Sequence, residues 1–291
     1  MWLYDKNIGG SNFSLDIGRL QFEDDRRWWW DANLDALRIS HETDNVEISL
    51  ALAQEIASDR SDRSDIAPEQ QRVRRLIGEA TWDWRRHHTL QFLLLHQNDG
   101  SSREAVGHRL DNQYLDESDA RLTWFGARAS GAFDLAERSV IGYWLDTAWV
   151  RGKERRTEFD AIDAVRSIVT NVTQQSVRGW GFDSGISWLI PARYETRLYA
   201  GYAYGSGDAN PQDDTDRAFR QTGLATNEAG FGGAQRFPHY GIGLNPELSN
   251  LKIVTIGAGL NILKSSSIDL VYHRDRLANP AESLRSARVD G

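Results

Sequence analysis

The stretch Val46-Glu47-Ile48-Ser49-Leu50-Ala51-Leu52-Ala53 decides the fold class. Apolar residues alternate with polar or small ones without a break, as in a pleated strand that is greasy on one face. Just upstream, Leu34-Asp35-Ala36-Leu37-Arg38-Ile39-Ser40-His41 repeats the pattern, and Thr43-Asp44-Asn45 between the two has the composition of a hairpin turn. Working outward, the same period predicts strands over 13–22, 74–84, 88–97, 119–130, 139–150, 178–190, 196–205, 250–263 and 267–276. With the first two this makes about eleven strands, each near the roughly ten residues that a tilted membrane strand needs.

The connections carry more information than the strands. Asp44-Asn45, Arg85-Arg86-His87, Asp134 to Arg138, Pro191-Ala192-Arg193 and Lys264 to Ser266 are short. Between them come Glu23 to Asp31, Ala57 to Val73, Asn98 to Ser118, Arg151 to Val177 and Ser206 to Ser249, most of them long and polar. Short and long connections alternate in this way in a membrane β-barrel, with tight turns at one rim and large loops at the other. A soluble sandwich with crossing connections has no reason to keep that parity. The expectation is an all-β chain forming a transmembrane antiparallel β-barrel.

Composition narrows the alternatives. The 291 residues carry 34 Lys+Arg against 42 Asp+Glu, a formal charge of -8, and only 40% are hydrophobic, yet 11 are Trp. The absence of cysteine removes disulfides, thiolate metal sites and a cysteine nucleophile. A pI of about 5.4 argues against nucleic acid as a partner. No uninterrupted run of about 20 apolar residues is present for a membrane helix. Polar loops such as Gln212-Asp213-Asp214-Thr215-Asp216 dilute strands that are themselves much more apolar. Both ends read as unfinished, so the expected organisation is one partial barrel domain over 1–291 that lacks N-terminal and C-terminal strands.

Aromatic positions fit the barrel. Trp82, Trp84, Trp124, Trp144, Trp149, Trp180, Trp188, Tyr143, Tyr199, Tyr202 and Tyr204 lie within strands, where amphipathic rings suit a lipid–water boundary. Trp28-Trp29-Trp30, beside a turn, reads as girdle, loop plug or sugar-stacking platform, with girdle favoured. If Leu37, Ile39, Ile48, Leu50 and Leu52 face lipid, then Arg38, Ser40, Glu47, Ser49, Ala51 and Ala53 face inward, as do Asp146 and Asp183. Arg19 shares parity with Leu15 and Ile17, so it lies beyond the hydrocarbon edge or a bulge flips the register.

Enzyme and binding-module readings are weaker. His87, His88, His96, His108 and His273 could serve a Ser–His–acid set, but no G-x-S-x-G nucleophile motif is present. No H-E-x-x-H occurs, and neighbouring His87 and His88 point opposite ways if extended, so neither a metal nor another cofactor is called for. A soluble lectin-like sandwich stacking sugars on Trp28 to Trp30 is the third reading.

Gly18-Arg19, Trp29 and Asp31-Ala32-Asn33-Leu34-Asp35-Ala36-Leu37 resemble the alginate-export outer-membrane porins. So do Asp65-Ile66-Ala67-Pro68-Glu69, His87-His88, Leu122-Thr123-Trp124-Phe125-Gly126, Gln221-Thr222-Gly223-Leu224, Glu247-Leu248-Ser249-Asn250-Leu251 and Leu270-Val271-Tyr272-His273, in order over nearly the whole chain. The resemblance implies a monomeric barrel in the outer membrane of a Gram-negative bacterium, of about eighteen strands. It also implies passive export of an acidic exopolysaccharide such as alginate through a charged lumen, with outer-membrane lipid and periplasmic secretion components as further partners. A general or small-solute porin is the alternative. The resemblance carries Asp31 and Asp62 over as substrate-binding positions, where the family has acidic residues, and Arg19 and Arg236 as cations beside family arginine positions. Arg38 joins them from its inward parity, and the length of the loops around Asp62 and Phe231 to Tyr240 leads us to expect that they gate. Where the family has arginines in its constriction, this chain has Gln21, Glu228 and Phe237, which weakens attraction for a polyanion.

Overall fold

The computed structural model describes residues 3–6, 11–57, 66, 70–101, 104–192, 194–229, 236–244, 246–263 and 266–280. In chain order the strands are β1 (Leu3–Lys6), β2 (Phe13–Glu23), β3 (Asp31–Glu42), β4 (Val46–Gln54), β5 (Arg74–Arg85), β6 (His88–Asn98), β7 (Arg109–Asp111) and β8 (Ser118–Ala136). They continue as β9 (Ser139–Ala161), β10 (Arg166–Ile190), β11 (Glu195–Gly205), β12 (Thr215–Asp216), β13 (Glu228–Ala229), β14 (Phe237–Pro238), β15 (Leu251–Leu263) and β16 (Ser266–Leu277). One sheet follows the order β1-β2-β3-β4-β5-β6-β8-β9-β10-β11-β15-β16; β7 and β12 add onto β10, and β13 pairs with β14. Every neighbouring pair on that path is antiparallel, and among the described residues none joins β1 to β16. Each of the eleven strands expected from the sequence coincides with one of these twelve.

The two faces differ as the period of two requires. In β4, Leu50 is 46% and Leu52 62% exposed, whereas Ala51 and Ala53 are 2% and 6% exposed. The outward set continues through Phe92 and Leu94 of β6, Leu145 of β9, Ile186 of β10 and Ile256 of β15, an apolar belt around one side of the sheet. The other side is concave. Six strand steps separate β3 from β10, roughly 29 Å if the sheet were flat, yet Arg26 of the β2–β3 turn meets Asp183 of β10 at 3.0 Å. Only a curled sheet brings them together.

Two expectations need correction. The stretch 151–177 is not a loop: β9 and β10 run for 23 and 25 residues, about twice what a crossing needs, and only 162–165 connects them. Its polarity misled because a ladder rising above the apolar belt has no need of greasy side chains. The β-prone run Val169-Thr170-Asn171-Val172-Thr173 was the signal that remained. The aromatic positions also divide. Trp82, Trp84, Trp149, Trp180 and Trp188 are exposed on the outer face, but Trp124 and Tyr199 are buried on the concave side, where Trp144 also points, toward Asp183. Trp28, Trp29 and Trp30 are no girdle: all are at most 2% exposed within the concavity.

The outer face yields a first prediction. Replacing Leu50 by Arg puts a charge on the apolar belt and is expected to cost about 2–4 kcal/mol. Guanidinium unfolding of the protein in phospholipid bilayers measures it; an L50R protein as stable as its parent would contradict the assignment of faces.

Candidate functional site

The concave face is filled by the chain's own turns and by its long segment between β11 and β15. The site begins with Asp24-Asp25-Arg26-Arg27 in the β2–β3 turn. The Asp24 carboxylate accepts hydrogen bonds from the amides of Trp29 (2.8 Å) and Trp30 (3.0 Å), which folds the turn inward and delivers three indoles to the interior. Trp29 lies over β8 at Gly126, where a Cβ would come within 2.8 Å of the indole, so only glycine allows this approach.

Charge fixes the turn to the far wall. Arg128 of β8, 2% exposed, lies 2.6 Å from Asp24 and 2.6 Å from Asp146 of β9. Arg26 approaches Asp146 at 3.5 Å and Asp183 at 3.0 Å, and its guanidinium stacks 4.3 Å from the Trp144 ring. Asp183 also accepts hydrogen bonds from Trp144 Nε1 (2.7 Å) and from the Tyr240 hydroxyl (2.8 Å), which in turn accepts one from Trp28 Nε1 (2.7 Å). Buried carboxylates and guanidiniums are tolerated when each has a close counter-ion and hydrogen bonds.

The long segment packs onto this floor. Phe219 stacks on Trp28 with centroids 6.0 Å apart. Gln221 and Thr222 donate to the carbonyls of Trp28 and Trp29, and the amide of Asp31 donates to Leu224 O at 2.7 Å. Beyond it, Arg220 forms ion pairs with Glu154 (2.8 Å) and Asp216 (2.5 Å), while its carbonyl accepts from Trp124 Nε1 (2.8 Å). Burial alone would depress the Arg220 guanidinium, but hydrogen bonds and charge from Glu154 and Asp216 hold it above its ordinary value. Burial, then the nearby Arg26, pushes the His239 imidazole well below its ordinary 6.5, so it is neutral. Burial and the Asp183 carboxylate push the Tyr240 phenol well up, which keeps it a donor. The segment expected as an outer loop is therefore largely an inner one.

The expected site residues separate. Asp31 and Arg236 share one cluster: Arg27 contacts Glu23 (2.9 Å), Asp31 (3.0 Å) and Glu228 (3.3 Å), and Arg236 contacts Glu23 (2.8 Å). That is three carboxylates to two guanidiniums. Arg38 pairs with Asp16 at 2.9 Å, in a polar cleft of about 510 Å³ toward the β3–β4 turn. Arg19 stands opposite Asp35 in an unshifted register, on the face of Ile17 and Leu37, and pairs with Asp35 at 3.2 Å near Ala57. No bulge turns it inward, and it sits toward the long-loop rim. Asp62 and the residues 231–235 lie outside the described residues. Among the histidines considered for catalysis, His88 meets Tyr143 (2.9 Å), His96 meets Thr123 (2.8 Å) and His273 meets Thr255 (2.9 Å).

Sequence reasoning missed Asp24, Arg26, Arg128 and Arg220. One signal was available: Gly179 and Gly181 stand on the inward parity of β10, and a Cβ on Gly179 would come within 2.4 Å of Ala218 O. Such a stripe marks the bed of a close-packed inner segment.

The model of the family described as alginate export matches residues 1–289. The chain belongs to this family. It is 30% identical over 263 residues to the alginate production protein AlgE of Pseudomonas aeruginosa, 89% of this chain and 52% of that protein. The namesakes from Pseudomonas syringae pv. tomato and Azotobacter vinelandii are 24% and 26% identical, over 92% and 84% of this chain and 54% and 50% of their own lengths. The chain thus spans about half the length of the curated relatives it matches. The family is one of export channels rather than enzymes.

The network makes a testable demand. Replacing Arg128 by Met strands Asp24 and Asp146 without their shared counter-ion and is expected to cost about 3–5 kcal/mol, part of it recovered in R128M/D146L. Unfolding in detergent micelles measures both; an unperturbed R128M protein would remove Arg128 from the anchor. The pH dependence follows from Asp24. Burial alone would raise its carboxyl, but Arg128 and the amides of Trp30 and Trp29 outweigh it and hold the group below 3.8. A depressed folded value stabilises above the unfolded one and is lost as pH falls through the folded one. Protease protection of residues 206–250 should therefore persist through mildly acidic pH and vanish only below 3.8; release near neutrality would contradict it.

Proposed function

We propose that the chain forms wall and inner lining of an outer-membrane channel through which an acidic polysaccharide of the alginate type leaves the periplasm by passive export. Family membership over 1–289 carries the reading. The names of the relatives supply the polymer class, and the apolar outer belt with its exposed tryptophans supports a lipid surrounding. The chain acts as a conduit rather than a catalyst.

In this reading Asp31, Arg27, Glu23, Glu228 and Arg236 line one end of the path, and Arg38 with Asp16 the other. The deep arginines Arg26, Arg128 and Arg220 are spent on internal carboxylates, so the wall has few free cations for a polyuronate to settle on. Arg236, 48% exposed, and Arg27 are the cations a passing carboxylate can reach, by displacing Glu23. Exchange of one carboxylate for another keeps binding weak enough for exit, which conduction requires. The substitutions at Gln21, Glu228 and Phe237 act in the same direction.

Single-channel recording in planar bilayers tests the proposal. Short oligouronates should block the current, and R27Q/R236Q should weaken the block by about tenfold at low salt, because the field at a constriction sets local anion concentration. Absence of conductance would overturn the channel. Equal block by uncharged oligosaccharides of the same length would favour the general-solute porin.

A further inference from the structure

On the outer face, just above the aromatic row, lies a block of cations without counter-ions. Phe125 of β8, Trp149 of β9 and Trp180 of β10 stand side by side in register, and Phe125 stacks on Trp149 with centroids 5.8 Å apart. One step of the same parity toward the long loops, Arg151 stands directly opposite Arg178; one step further, Lys153 stands directly opposite Arg121. All four are exposed. Like charges directly across a ladder are destabilising. Among the described residues no carboxylate pairs with Arg151, Lys153 or Arg178, and Arg121 donates only to Asn98 at 3.0 Å. The nearby acids are engaged: Asp119 is 3.4 Å from Arg155, and Asp99 accepts from the Ser101 amide at 2.9 Å. A cleft of about 400 Å³ opens here, lined by Arg121, Arg151, Lys153 and Arg155 and also by Asp99, Asp119 and Glu154, so cations outnumber acids by one.

We infer that this block is a binding surface for the phosphorylated headgroup of an outer-leaflet lipid. Its depth fits. One step of two residues along a strand climbs about 7 Å, and the headgroup zone is about 5–8 Å thick on each side of the hydrocarbon. With Trp149 and Trp180 at the hydrocarbon edge, Arg151 and Arg178 sit at headgroup level. Its chemistry fits as well. A phosphate between two guanidiniums accepts charge-assisted hydrogen bonds from both and turns the cross-strand repulsion into a bridge. The cargo is a poor occupant, because these side chains share the face of Phe125 and Trp149 and not that of the inward Asp146 and Asp183. The inference rests on the outer-membrane reading and is independent of what passes through the channel.

The test uses the full chain in bilayers of phosphatidylcholine with or without a minor fraction of phosphatidic acid, with retained lipid read by native mass spectrometry. The parent should retain phosphatidic acid, and both R151Q/R178Q and R121Q/K153Q should retain about tenfold less. R85Q/R86Q, at the opposite rim, should retain it like the parent. A second readout separates lipid binding from a structural role. In lipid-free zwitterionic detergent R151Q/R178Q should melt higher than the parent, since it removes a repulsion, whereas in phosphatidic acid bilayers it should melt lower. Equal retention by parent and variants would overturn the inference, as would displacement of the lipid by inorganic phosphate or oligouronate at matched concentration. Failure to insert into bilayers would overturn the outer-membrane reading and this inference with it.

Discussion

The contact of Arg128 with Asp24 and Asp146 is the constraint on which the interior depends. It ties a turn between the second and third strands to strands five and six steps further along, so it holds a chord across the curl of the sheet. A buried guanidinium between two carboxylates adds little net stability over a well-packed apolar substitute, because desolvation offsets most of the attraction. Its contribution is positional. With Asp24 held, the amides of Trp29 and Trp30 have their acceptor, and the indoles form a floor. With the floor in place, Phe219 has a ring to stack on, and Gln221 and Thr222 find backbone carbonyls to bond. Taking Asp24 away would remove the reason for the long segment to lie inside.

The two faces obey different solvents. On the outer face the strands satisfy one another's backbone groups and present aliphatic side chains, so almost nothing polar needs a partner there. On the concave face Arg26, Arg128 and Arg220 are held by carboxylates and Glu79 by Thr81 and Gln91, and the glycines of β10 let backbone approach backbone. Length separates the two regimes along β9 and β10. Below Trp149 and Trp180 most outward side chains are apolar or aromatic, and just above them stand Arg151, Lys153 and Arg178, while the ladder runs on and shifts register only between Val169 and Asn171.

That continuity explains what was legible in the amino-acid order. A period of two with greasy outward positions marks a strand only where lipid demands it, so Val46 to Ala53 is unmistakable and the polar halves of β9 and β10 read as loop. Parity placed Arg38, Asp146 and Asp183 inward because a one-residue slip would move every one of them onto the apolar side. Trp124 and Trp144 defeated composition: an indole suits a membrane boundary and a buried hydrogen-bonded interior alike, and only its partner, the Arg220 carbonyl or the Asp183 carboxylate, decides between them. The interior network was illegible for a related reason. Asp24 is 104 residues from Arg128 in the numbering, and Arg26 is 157 from Asp183, so no local pattern records that they meet.

Arginine therefore has two roles in this chain, set by whether a carboxylate shares its face. Inside, Arg26, Arg128 and Arg220 are matched to acids, and the matching holds the turn and the inner segment against the wall. At the rim of the lining, Arg27 and Arg236 are matched to an acid that solvent can also reach, so the match is exchangeable. Outside, Arg151 and Arg178 face each other, and among the described residues no carboxylate pairs with either. A chain with eight more acids than bases has no shortage of carboxylates to place beside that pair. Leaving it bare is a cost to the isolated protein that a counter-ion from the surroundings would remove.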